Sequence, residues 1–121
     1  MKPSKVYQYK TAMLSPTALL LPFQAGRRWV SLDQIIRLEG EGNYTTCVFA
    51  DGSVLMVALT IKRLQDRIPA GLFVRSHKKH LLNRAHVADV SANTCIVSLD
   101  NGDKVDIARR RVSAFKREMT A

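Results

Sequence analysis

The stretch that decides the reading is Phe73-Val74-Arg75-Ser76-His77-Lys78-Lys79-His80-Leu81-Leu82-Asn83-Arg84-Ala85-His86-Val87. Two apolar pieces flank a polar knot. Phe73 and Val74 enter it; Leu81 and Leu82 leave it. Between them stand Ser76, His77, Lys78, Lys79 and His80, with Arg75 just before and Arg84 just after. A short basic loop between two buried anchors presents fixed donors to an anion. The same cluster would also make a solvated hairpin end, so the rest of the chain has to choose between them.

Charge favours the anion. The 121 residues include 19 basic and 10 acidic side chains, a net charge of +9. Residues 60–121 carry 13 basic and 6 acidic groups; residues 1–59 carry 6 and 4. A balance this basic points to a polyanion, nucleic acid first and an anionic membrane surface second. The contact should lie in the second half. The length suits one domain with one core. Cys47 and Cys95 each sit in an apolar run, which predicts buried free thiols in a reducing cytoplasm rather than a disulfide. The most apolar early run, Leu19 to Phe23, is too short to span a bilayer and contains Pro22.

Upstream of the knot, Thr60 can cap a helix whose Ile61, Leu64 and Ile68 share a face, with Leu59 and Leu64 placed as a hydrophobic staple. Pro69-Ala70-Gly71 should end it. Before it, residues 45–50 and 54–59 read as strands joined by the hairpin signal Asp51-Gly52. Residues 18–23, 27–31 and 35–39 read as earlier strands, with Trp29 facing inward and a turn at 31–34. Gly40-Glu41-Gly42-Asn43 reads as a glycine-rich connection without the Walker spacing. Residues 1–17 read as a flexible basic arm. Downstream, residues 94–99 and 104–108 form a second pair around Asp100-Asn101-Gly102-Asp103. A helix is expected over 109–119, with Val112, Phe115 and Met119 as its stripe. The prediction is a mainly β domain over 18–121, built of antiparallel hairpins with one or two short helices.

Enzyme chemistry finds little support. His77 and His80 stand three apart, but their flanks read as strand and loop, and no neighbouring Cys, Asp or Glu completes a metal set. No nucleophile elbow occurs, and few carboxylates stand near the basic groups. Arg109, Arg110 and Arg111 say more. Cations at a helix start oppose the macrodipole. That conflict resolves when an anion arrives at the free N–H groups and guanidinium forks. Single-strand binders interleave aromatic platforms with basic groups, and the knot holds none. Histidine, lysine, arginine and asparagine suit duplex backbone and purine edges. A small basic RNA-binding β-barrel and a nuclease stay open as alternatives.

The ordered set of motifs resembles the LytTR-type DNA-binding domain. It comprises Ile36-Arg37-Leu38-Glu39, Gly42-Asn43-Tyr44-Thr45, Leu59 with the helix to Pro69, the knot from Phe73 to Asn83, then Asn101-Gly102 and Ala108-Arg109-Arg110. The resemblance covers roughly residues 18–118, and the string from Phe73 to Asn83 is its most specific part. It implies three small antiparallel sheets in an elongated body. It implies a bacterial transcription regulator, the effector domain of a two-component response regulator, without cofactor, metal, catalytic site or small-molecule substrate. Loops would enter the major groove of double-stranded DNA at tandem direct repeats. Carried over, the groove-facing residues are Asn43, Tyr44, Thr45, His77, Lys78, Lys79, Arg109 and Arg110; Arg75 and Arg111 would contact phosphate, and Asn83 would pin backbone beneath the loop. A second copy on adjacent repeats and a membrane or receiver-domain regulator are the partners it allows. Two departures stand out: Ala108 replaces a usual serine, and Lys79 stands where serine is common. Seventeen arm residues cannot hold a receiver domain, so the expectation is a stand-alone regulator or a piece of a longer one.

Overall fold

The computed structural model describes residues 17–120; the proposed arm lies, but for Thr17, outside them. Ten strands and two short α-helices are present among the described residues. The strands are β1 (Ala18–Phe23), β2 (Gly26–Ser31), β3 (Ile35–Glu41), β4 (Tyr44–Phe49), β5 (Val54–Val57), β6 (Phe73–His77), β7 (His80–Asn83), β8 (Val87–Ser91), β9 (Ile96–Leu99) and β10 (Lys104–Asp106). The helices are α1 (Ile61–Gln65) and α2 (Val112–Thr120). Strands pair antiparallel in three sheets: β1-β2, β10-β9-β8, and a central β5-β4-β3-β7-β6. No described helix is long and apolar enough to cross a membrane.

The central sheet is buried on both faces over much of its area, which explains its consecutive apolar pairs. Neighbouring strand residues point to opposite faces. Leu81 and Leu82 are both sealed from solvent, yet they belong to different cores. Leu38, Cys47, Leu81 and Phe73 face the first core, which β1, β2 and α1 close through Leu19, Leu21, Val30, Ile61 and Leu64. Ile36, Val74 and Leu82 face the second, closed by Val97, Leu99, Val105, Ile107 and Phe115. Val112 and Met119 pack against that second core, so the expected stripe on α2 holds. One domain therefore has two cores, not the one that its length suggested.

Asp51-Gly52 and Asn101-Gly102 both turn as read, with Gly52 and Gly102 at φ of 90° and 94°. Thr60 caps α1: its hydroxyl accepts the Arg63 N–H at 3.2 Å. The helix is shorter than expected. It ends at Gln65, and the bonds Arg67 N–H to Leu64 O and Ile68 N–H to Gln65 O tighten the chain into turns before Pro69. Other expectations are corrected. Trp29 pairs with Leu20 on the face away from the core, while Val30, opposite Leu19, packs inward. Gly40 and Glu41 belong to β3, leaving Gly42-Asn43 as the whole connection. Cys95 lies in a turn at φ 56°, half-buried, so β9 starts only at Ile96. Cys47 is buried, and burial pushes its thiol up to about 12. Arg109–Arg111 form a 3-10 turn ahead of α2 rather than its first α-turn.

Candidate nucleic-acid interface

Three segments meet at one end of the central sheet. The first is the β3–β4 hairpin. Gly42 holds φ at 60°, the positive value that a two-residue hairpin needs at its first central position. The second is the β6–β7 hairpin, closed by His77 opposite His80 and turned by Lys78-Lys79. Gly40 N–H donates to Lys79 O at 2.8 Å and ties the two hairpins side by side. Past the Glu39–His80 pair, the first hairpin runs on for two more pairs, Gly40 with Thr45 and Glu41 with Tyr44.

The third segment is the 3-10 turn before α2. The register of β6 against β7 shifts between Arg75 and His77. That bulge takes Ser76 out of the regular ladder. Its carbonyl accepts the Ala108 N–H at 2.8 Å, and Arg111 N–H closes the turn on Ala108 O at 2.8 Å. Arg109, Arg110 and Arg111 are thereby docked one residue from His77.

Most sequence-predicted site residues come together here. Asn43, Lys78, Lys79, Arg109 and Arg110 are exposed, as is Tyr44 at 52%. His77 and Arg111 are half-buried. None of these cations has a carboxylate within ion-pair distance among the described residues; the pairs there involve Arg37, Lys62 and His86. Uncompensated like charges at one end repel one another, and a polyanion relieves that. His77 Nδ1 accepts the Lys79 N–H at 3.1 Å. The neutral ring must then carry its proton on Nε2, as a donor.

Two expected contacts lie elsewhere. Thr45 is fully buried and donates its hydroxyl to Leu59 O at 2.7 Å. Tyr44 and Thr45 are adjacent on a strand, so one points out and the other in. Direct DNA contact by Thr45 is therefore corrected to a structural bond. Arg75 is half-buried and donates inward from Nε, Nη1 and Nη2. Burial, and then the nearby Arg111 charge, lower its pKa; a guanidinium stays charged at neutral pH regardless. Asn83 pins backbone, donating to Leu32 O and Ile35 O and accepting from Ala85 N–H.

Beneath the tips lies a polar neck. His80 packs against His77 with ring centroids 5.5 Å apart. Burial lowers the His80 pKa, with the Glu39 charge raising it and the His77 and Arg37 charges lowering it further. His80 Nδ1 and Ser76 Oγ are buried without a hydrogen-bond partner among the described residues. Among the described residues no three His, Cys, Asp or Glu side chains are arranged to hold a metal ion. Sequence reading missed Gln65, whose Oε1 receives Arg75 Nη1 at 2.7 Å. The two are ten positions apart, and no local pattern links them.

An antiparallel β domain that gathers unpaired cations on turns at one sheet end is a loop-presenting polyanion-binding module. The family follows from comparison. The profile of the LytTr DNA-binding domain matches residues 26–120, and the chain belongs to that family. The sensory transduction protein LytT of Enterococcus faecalis is 28% identical over 113 residues, covering 90% of this chain and 47% of that one. The heme-containing CO-sensing transcriptional regulator RcoM 1 of Paraburkholderia xenovorans is 28% identical over 109 residues, covering 84% and 40%. The chain thus spans less than half the length of these relatives. The fold matches a LytTr DNA-binding domain of a methyl-accepting/DNA response regulator from Bacillus cereus. That match has a TM-score of 0.74 at 18% identity and covers 87% of this chain and 98% of that one.

Proposed function

We propose that this chain reads specific double-stranded DNA sequences for a transcription regulator, inserting its hairpin tips into the major groove. The observation that carries the reading is the convergence of two cationic segments, Lys78-Lys79 and Arg109–Arg111, with the polar tip of the β3–β4 hairpin, fixed by the Gly40–Lys79 and Ala108–Ser76 backbone bonds. Asn43, Tyr44, His77, Lys78, Arg109 and Arg110 are the base-reading candidates. Lys79 and Arg111 take phosphates. The groups are short-range donors on turns, suited to base edges and backbone oxygens. Among the described residues Tyr44 is the one exposed aromatic, not one of a series of stacking platforms, which favours duplex over single strands. The sites are tandem direct repeats holding two copies, with occupancy under a membrane or receiver-domain regulator.

Selection from a random duplex pool tests this. Enrichment of one repeated motif is expected. Arg109→Ala or Arg110→Ala should weaken binding to that motif by about 1–3 kcal/mol if the side chain makes a bidentate base contact. The melting temperature should hardly move, since both are exposed. A pool that stays random, or equal capture of single strands, overturns the reading.

A further inference from the structure

The β6–β7 turn is not held by its own ladder alone. Arg75 donates from Nε to His77 O at 3.0 Å and from Nη2 to Lys78 O at 2.7 Å. Those carbonyls belong to the residue entering the turn and to its first residue. The third donor, Nη1, goes to Gln65 Oε1 at 2.7 Å. Gln65 is the last residue of α1, and α1 is anchored on the first core by Ile61 and Leu64. A guanidinium is flat, with its N–H groups in a fixed fork. Three acceptors in that fork therefore fix the turn against the helix.

The acceptor on α1 is an amide and not a carboxylate. Asp66, its neighbour, is occupied at 3.9 Å by Lys62. Arg75 has no ion pair among those of the described residues. Its positive charge thus stands uncompensated beneath Lys78 and beside Arg111. One residue pair does two separable jobs, setting geometry through the fork and supplying field through the neutral partner.

We propose that Arg75 and Gln65 are positioning residues for DNA recognition: the Gln65–Arg75 strut sets where Lys78 stands and keeps a full positive charge under it. The proposal rests on the duplex-binding reading above and deepens it. Neither side chain needs to touch DNA. Arg75→Lys keeps charge but loses the fork. Gln65→Glu keeps an acceptor but neutralises the charge. The two variants should fail in different ways.

The experiment measures affinity for the duplex selected by the wild-type chain and for a scrambled duplex, over a salt series, with thermal unfolding alongside. Gln65→Ala is included in case Arg75→Lys does not fold. For Arg75→Lys, and less severely for Gln65→Ala, the ratio of specific to scrambled affinity should fall about tenfold, the scale of one good base contact. Scrambled affinity and salt slope should be unchanged. For Gln65→Glu, both affinities should fall together and the slope should flatten by up to roughly 0.9, as when one phosphate-facing charge is lost. Amide exchange at Lys78 and Lys79 should speed up in Arg75→Lys and Gln65→Ala while Leu82 stays protected. A wild-type chain that discriminates, with Arg75→Lys and Gln65→Ala discriminating equally well, overturns the proposal alone. So does a loss in both affinities that merely follows a fallen melting temperature. A wild-type chain that selects no sequence overturns the duplex reading, and this proposal with it.

Discussion

Replacing Asn83 with alanine should destabilise the domain without touching its charged end. Asn83 is 5% exposed. Its Nδ2 donates to Leu32 O at 3.0 Å and Ile35 O at 2.8 Å, and its Oδ1 accepts the Ala85 N–H at 3.0 Å. These bonds join β7 to the chain entering β3 and cap the turn after β7. Leu32 O keeps a second partner, the Ile35 N–H, after truncation. Three bonds at about 1 kcal/mol net each give a loss of about 3 kcal/mol. Typical total stability is only about 5–15 kcal/mol. Urea unfolding should show a midpoint lowered by roughly 1–3 M at an unchanged slope. Asn83→Asp sharpens the test. It is nearly isosteric, but ionised it has no donor and sets a carboxylate against two carbonyls. Folding should raise that carboxyl's pKa above its unfolded value of roughly 3.9. A raised folded pKa gives stability that is present at acid pH and lost as pH rises. The aspartate variant should therefore approach wild type at low pH and fall behind at neutral pH. A loss under about 1 kcal/mol for alanine, or an aspartate variant equal to wild type at neutral pH, would refute the reasoning.

Removing Lys79 should flatten the log affinity against log salt slope by roughly 0.9, whereas removing Lys78 should at least partly narrow the gap between cognate and scrambled duplex; a salt titration of both variants with neither change would make the Lys78-Lys79 turn a solvated loop. His86 should make stability depend on pH near neutrality. Burial lowers its pKa, but its bonds to Asp33 O and to the Asp100 carboxylate, both 2.8 Å, outweigh that and raise it. Its contribution is full below the unfolded value of roughly 6.5 and is lost as pH rises through the folded one, so thermal melts should fall across that window in wild type and stay flatter in His86→Gln. Gly40→Ala would set a Cβ 2.9 Å from Ile61 Cδ1; the overpacking should cost about 1–3 kcal/mol, and a double-mutant cycle with Ile61→Val, which removes that atom, should recover part of it.

Local signals carried most of the fold. Glycine turns, a threonine cap and consecutive apolar pairs each state a backbone conformation within a few residues. What escaped depended on parity or on distance. The resemblance makes Tyr44 and Thr45 both groove-facing, although strand alternation lets only one of the two face out. The basic turn is legible as charge, but its bracing is not, because Gln65 and Arg75 meet only once α1 has packed against β3 and β7. Trp29 reads as inward within its strand; its pairing with Leu20 shows that it takes the other face. The apolar neighbours of Cys95 suggest a strand, where the chain instead takes a left-handed turn.

The extra pairs of the β3–β4 hairpin have a consequence for how such a domain can be retuned. Strand residues advance about 3.4 Å each, so two pairs beyond β7 carry the Gly42-Asn43 tip roughly 7 Å past the neighbouring shelf. Adding one pair would lengthen the arm but reverse which side its tip residues face. Orientation returns only with the second. The reach of the tip, at constant orientation, is therefore a counted quantity that changes in whole notches of roughly 7 Å. A library that varies hairpin length should show activity in every second member, like teeth meshing with a gear.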